Sequence, residues 1–214
     1  MVIASRFNGP PGTGNGGYSA GTFAALVQQP GVPEVTLLKP PPLDVRLTAE
    51  GDEVVDPAGQ VIATARAVPA FEAVAPRVTV EAAKEASAHY AGFTDHPFPT
   101  CYVCGPERAD GLRIFPGPVD GVVAAPFTAP ARVTTETVWS ALDCPGGWSV
   151  LSPGRAYVLG RMAAVISEPP APGSESVVVG MLSGTEGRRA AVHSALWTPD
   201  GRLLAHARAT WVAI

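Results

Sequence analysis

The sequence predicts an α+β fold made of two tandem units, each an antiparallel sheet wrapped around one long helix. Three observations predict it. Short apolar runs recur along the 214 residues, separated by turn chemistry, and the 23 glycines and 23 prolines are spread between them rather than clustered. The order strand, helix, several strands occurs twice. One eleven-residue segment also repeats. Pro57-Ala58-Gly59-Gln60-Val61-Ile62-Ala63-Thr64-Ala65-Arg66-Ala67 aligns without gaps on Pro199-Asp200-Gly201-Arg202-Leu203-Leu204-Ala205-His206-Ala207-Arg208-Ala209, with six identical pairs.

In the first half, residues 2–7 are expected as a strand and residues 8–17 as a loop rich in Gly and Pro. Residues 18–29 read as a helix of small and apolar side chains, stopped by Pro30, Gly31 and Pro33. Strands are expected over 35–38, 45–49 and 60–68, with turns at 40–42 and 56–59. Residues 80–89 form a short helical segment, and residues 91–111 a loop with Cys101 and Cys104. The order then restarts. Residues 122–127 are a strand, and 134–142 a helix with Thr134 as its cap and Glu136 in its first turn. Strands follow over 157–166, 176–182, 188–197 and 203–212, with a hairpin turn at Pro199, Asp200 and Gly201.

Hydrophobic residues make up 46% and charged residues 16%, a composition that folds around a core. Net charge is -4 and the 15 Lys and Arg are scattered singly, which argues against nucleic acid as a partner. No apolar run approaches the roughly 18 residues of a membrane span, and no leader is readable at the start. Three cysteines with one close pair do not suit a secreted disulfide framework, so a cytoplasmic location is expected.

Gly14-Asn15-Gly16-Gly17-Tyr18, Lys39-Pro40-Pro41-Pro42-Leu43, Ala141-Leu142-Asp143-Cys144-Pro145 and the Arg-containing last strand of each half, taken in that order, resemble the hotdog thioesterase superfamily. The closer resemblance is to proteins that fuse two hotdog units, and it spans nearly the whole chain. It implies an N-terminal half over 1–75, a linker with the Cys-x-x-Cys loop over 76–118, and a C-terminal half over 119–214. It also implies an acyl-CoA or acyl-carrier thioester as substrate, no cofactor, and allows a homodimer.

Gly9 to Gly14 looks at first like a phosphate loop. Asn15 and Gly16 stand where such a loop needs Lys and Ser or Thr, so nucleotide binding is rejected. The same segment enters a helix. Free N–H groups and the positive end of the helix dipole favour a developing negative charge there. In the family, this position polarises the thioester carbonyl. That assigns Gly17, with Gly16 and Tyr18, to the carbonyl oxygen and Asn15 to its orientation. The bland alternative is a tight turn before a buried helix.

The resemblance also implies a carboxylate on the helix about eight residues after the second Gly. In the first half that position is Ala25. In the second half it is Asp143, with Thr135 standing in the Gly position. One half thus keeps the donors and the other the acid. The expected site is a single composite one, Gly17 with Asp143, beside a degenerate one, Thr135 with Ala25. Asp143 would be base or nucleophile, or it merely caps a turn before Pro145. Glu136 and Cys144 are weaker candidates, and His193 reads as a core residue.

His89, His96, Cys101 and Cys104 have a spacing that suits zinc, but the resemblance favours a turn leading into a strand, and no metal is assigned. A hotdog-type hydratase needs an Asp and a His a few residues apart near the helix start, and no such pair is present. A non-catalytic acyl-thioester binder or structural protein remains the alternative to a hydrolase.

Overall fold

The computed structural model describes residues 1–151 and 155–214. Ten strands form one antiparallel sheet. In chain order they are β1 (Val32–Leu37), β2 (Thr48–Glu50), β3 (Glu53–Val55), β4 (Val61–Val68), β5 (Gly117–Val119), β6 (Val122–Thr128), β7 (Tyr157–Ile166), β8 (Glu175–Glu186), β9 (Arg189–Trp197) and β10 (Leu203–Ala213). Across the sheet the order is β2-β3-β4-β1-β7-β10-β9-β8-β6-β5. Three helices accompany it: α1 (Gly16–Ala24), α2 (Val80–Ala88) and α3 (Thr135–Trp148).

The same order of strands around a helix occurs twice in the sheet. Around α3, strand β6 precedes the helix and β7 to β10 follow it in the lateral order β6-β8-β9-β10-β7. Around α1, β1 to β4 follow in the matching order β2-β3-β4-β1. The two meet where β1 pairs antiparallel with β7, Glu34 opposite Ala163, Val35 opposite Met162 and Thr36 opposite Arg161.

The sequence repeat maps onto matching hydrogen bonds. Gly59 and Gly201 both take positive φ (78° and 92°) in the turns before β4 and β10. Leu38 and Lys39 both donate to the Ile62 carbonyl, and Ser167 and Glu168 both donate to that of Leu204. Ile62 and Leu204 are partners in the repeat.

Val35, Met162 and Ala207 face the main core, where α1 and α3 lie, with Phe23, Trp139 and Leu142 filling it. Alternation puts Glu34, Ala163, Arg66 and Arg208 on the opposite face. There α2 covers β6 and β8 through Val80 and Ala83 against Val177 and Val179.

Several expectations are corrected. Residues 2–7 are not a strand. Ile3 makes one parallel bridge to Leu43 and the chain then turns in a short 3-10 helix, Ser5–Phe7, because Ser5 N–H is claimed by Asp44. The first helix spans Gly16–Ala24 rather than 18–29. The Asn15 side chain accepts from Tyr18 N–H and starts it early. It stops early because Leu26 and Val27 donate to carbonyls only three residues back, tightening the last turn.

Thr134 caps α3 as expected, in a capping box with Thr137. The helix then runs six residues beyond 142, straight through Pro145. Packing overrides the breaker: Gly180 leaves room for the Pro145 carbonyl, where a Cβ would sit 2.0 Å away, and Gly147 seats the Trp211 ring. Asp143 is therefore inside a helix and does not cap a turn. The strand expected over 45–49 is shorter and shifted, as β2, while β3 and β5 escaped the sequence reading because each has three residues.

Among the described residues, no helix is long and apolar enough to cross a membrane.

Candidate active site

Helices α1 and α3 cross at their small residues. A Cβ on Gly17 would lie 2.4 Å from Asp143 Cβ and 2.7 Å from the Trp139 carbonyl oxygen. A Cβ on Gly21 would lie 2.9 Å from Glu136 Cα and from Trp139 Cβ. These two glycines, one turn apart, let the start of α1 press onto the middle of α3. The first-half glycines thus answer first to helix packing.

That crossing brings Asn15 and Gly17 to Asp143, 128 and 126 residues away along the chain. Asp143 Oδ2 accepts from Gly17 N–H at 2.8 Å and from Asn15 Nδ2 at 3.3 Å. The amide is oriented by its other end, since Asn15 Oδ1 accepts from Tyr18 N–H at 2.9 Å. Asp143 is only 2% exposed, and its Oδ1 is buried without a hydrogen-bond partner. Burial pushes its pKa up to about 7 against the opposing pull of the Gly17 and Asn15 bonds.

Asp143 lies on the wall of a cavity of ≈ 400 Å³. Asn15 and Gly16 also line it, and most of the remaining wall is apolar, with Leu37, Phe98, Trp148, Leu159 and Trp211 among it. Both halves and the Cys-x-x-Cys loop contribute. The loop is pinned beside α1: Tyr102 N–H donates to the Asn8 carbonyl, and the Phe7 ring stacks on Tyr18 at 3.8 Å.

The assignment of donors needs correction. The N–H groups of Gly17 and Tyr18 were expected to face a thioester oxygen, but both are spent inside the protein, on Asp143 and Asn15. Gly16 N–H has no partner among the described residues, and Gly16 lies on the cavity wall. Thr135 is exposed at the first turn of α3, and Ala25 is exposed at the end of α1. Neither lines the cavity, and the same holds for Glu136 and His193. His193 lies on β9 opposite Met181 and Arg208.

Cys144, the neighbour of Asp143, joins Cys101 and Cys104 in a buried group whose sulfurs all lie within 4.8 Å of one another. His89 is exposed and takes no part, while His96 Nε2 lies 3.4 Å from Cys104 Sγ. The sequence reading grouped the cysteine pair with both histidines. It missed Cys144 because the fold alone brings α3 to the loop, 43 residues from Cys101 to Cys144. Also missed was Glu34, a buried acid on β1. It is bonded by Arg66 at 2.6 Å and approached by Arg208 at 3.8 Å and Arg161 at 4.0 Å. A single acid in the apolar run Val32 to Leu37 was the available signal.

No family model matches the chain, and no curated protein matches it. Solved structures do. A thioesterase superfamily protein is 20% identical with TM-score 0.49, over 64% of this chain and 69% of that one. The E. coli PaaI protein of the phenylacetic acid degradation operon is 14% identical with TM-score 0.44, over 48% and 80%. A protein of Streptococcus mutans UA159 bound to acetyl CoA is 13% identical with TM-score 0.41, over 44% and 82%.

Proposed function

We propose that this protein hydrolyses acyl thioesters, of coenzyme A or of an acyl carrier, at one composite site between halves spanning 1–75 and 119–214 and joined by 76–118. The observation that carries the reading is the Asp143 carboxylate. It sits on the cavity wall with one oxygen held by Gly17 and Asn15 and the other without a protein partner.

In this reading entry of the thioester into the cavity opens the buried Asp143 Oδ1 to one water molecule. The carboxylate takes a proton from it as oxygen attacks the thioester carbon. The resulting oxyanion is stabilised by Gly16 N–H at the start of α1, where the helix dipole adds to the effect. When the tetrahedral species collapses, the carbon–sulfur bond breaks and the thiolate leaves with the proton from Asp143. Thioester and water become acid and thiol. The acyl chain lies along the apolar wall between the halves. Direct attack by Asp143 is the variant of this mechanism, and label from heavy-oxygen water appearing in Asp143 after a single turnover would identify it.

A second reading has its own support. Gly17 N–H and Asp143 bind each other, so the pair also works as a tie between two helices, as a thioester-binding protein without catalysis would need. Hydrolysis of short, medium and long acyl-CoAs by wild type and Asp143→Asn separates the two. Hydrolysis lost in the variant supports the enzyme. Binding of acyl-CoA without turnover, on CoA and carrier substrates alike, supports the binder. Full activity in Asp143→Asn would discard the proposed base.

A further inference from the structure

The mechanism above makes no use of the three cysteines, yet they are all buried, all free, and all on the cavity wall. Their sulfurs come from two unconnected places. Cys101 and Cys104 belong to one tight turn, in which Gly105 N–H donates to the Cys101 carbonyl at 2.9 Å. Gly105 has no room for a side chain, because a Cβ would lie 2.4 Å from the Pro99 carbonyl oxygen and 2.5 Å from Cys101 N. Cys144 arrives from α3. The Cys101 and Cys144 sulfurs are 4.0 Å apart, and all three sulfurs fall within 4.8 Å. A tetrahedral zinc ion, with Zn–S bonds of about 2.3 Å, spaces its sulfurs roughly 3.8 Å apart. The cluster needs only a slight contraction to match.

The surroundings supply N–H donors to the sulfur group: Asn15 has one N–H left, beyond that given to Asp143, for Cys101 and Cys144 to share. Asn15 Nδ2 lies 3.8 Å from Cys101 Sγ and 3.9 Å from Cys144 Sγ. Its orientation is fixed, since its Oδ1 accepts from Tyr18 N–H. His96 Nε2 lies 3.4 Å from Cys104 Sγ. The His96 tautomer is fixed as well: Nδ1 accepts from Phe98 N–H at 2.8 Å, so in the neutral ring the hydrogen is on Nε2 and points at sulfur. Such donors serve thiolates, and they offset the net negative charge of three thiolates around a divalent ion. The same bond stops His96 from being a ligand through Nε2, whose lone pair carries that hydrogen.

We propose that Cys101, Cys104 and Cys144 bind one zinc ion, with His96 and Asn15 as hydrogen-bond donors to the sulfurs and the fourth position left to a small ligand from the cavity. Thiolate ligands select zinc against magnesium or calcium. The ion ties the Cys-x-x-Cys loop to α3, one residue from Asp143. The inference stands apart from the hydrolase reading, because its test is optical.

The full-length chain, reduced and stripped with a chelator, is titrated with cobalt(II) and then with zinc. The expected result is saturation at one cobalt per chain, with a thiolate-to-cobalt charge-transfer band and the visible bands of tetrahedral cobalt, both erased by zinc. Native mass spectrometry then shows one zinc per chain. Cys144→Ser and Cys104→Ser each weaken the charge-transfer band, while circular dichroism checks that they fold. His96→Gln keeps the stoichiometry of one and weakens affinity by roughly 10–100-fold. Wild type without the band and without bound zinc overturns the proposal. A band unchanged in Cys144→Ser overturns it too, as does loss of tetrahedral binding in His96→Gln, which would make His96 a ligand.

Discussion

Gly17 donates its backbone N–H to Asp143 across 126 positions of sequence. The start of one half's helix and the middle of the other's are thereby one hydrogen-bonded unit, and the missing side chain at Gly17 is its condition. Gly17→Ala places a methyl 2.4 Å from Asp143 Cβ. It should cost about 1–3 kcal/mol as overpacking, a fall in Tm of about 2–4 °C per kcal/mol for a chain of this size. Gly184→Ala, where nothing lies within 4 Å, is the control and should be near neutral. Thermal unfolding of both variants checks the contrast; equal melting points would show that α1 and α3 are not held this closely.

Asp143→Asn keeps an acceptor for Gly17 N–H and removes the base. The fold should persist while kcat for thioester hydrolysis drops by roughly 10²–10⁴-fold. KM should change far less, because the apolar wall that holds the acyl chain is untouched. A variant that raises KM alone would move Asp143 from chemistry to binding.

Glu34 is a buried acid on the face away from α1 and α3, and its partners are Arg66 on β4, Arg161 on β7 and Arg208 on β10. The arginines are 42% to 64% exposed in their side chains, so water screens much of the attraction. Glu34→Gln should cost about 1 kcal/mol, the upper end for exposed pairs. Denaturant unfolding at low and high salt checks this, with the difference shrinking as salt rises.

Burial holds the His193 pKa below its ordinary 6.5, and the Arg208 charge adds to the effect, with His206 behind it. The folded chain therefore binds fewer protons at this site than the unfolded one. Its contribution to stability is present above pH 6.5 and is lost as the pH falls through the lower folded value. An NMR titration should place the His193 midpoint below that of a free imidazole, and Arg208→Gln should raise it. No movement in Arg208→Gln would remove the Arg208 charge from the causes and leave burial as the main one.

The fold was legible because its periodic parts are long. Strands β7, β9 and β10 lie within one residue of their expected ends, since alternation over nine or more residues is hard to misread. The repeat that carries Arg66 and Arg208 pointed to a repeated order of elements, and the paired bonds at Ile62 and Leu204 share its offset. Local propensity failed where tertiary packing decides. Pro145 signals a stop, yet α3 continues because Gly180 and Gly147 make space beside it. The N–H of Gly17 looked free because a partner 126 residues away has no local signature. Cys144 was legible as a cysteine next to Asp143, but nothing along the chain places it beside Cys101.

The β1 to β7 seam has a consequence for dilution. A site divided between separate subunits weakens as protein concentration falls, because its two contributions part company. In the proposed site both belong to one covalent chain and one continuous sheet, so each is always present for the other at a fixed effective concentration. Turnover per chain should stay constant however thin the solution becomes.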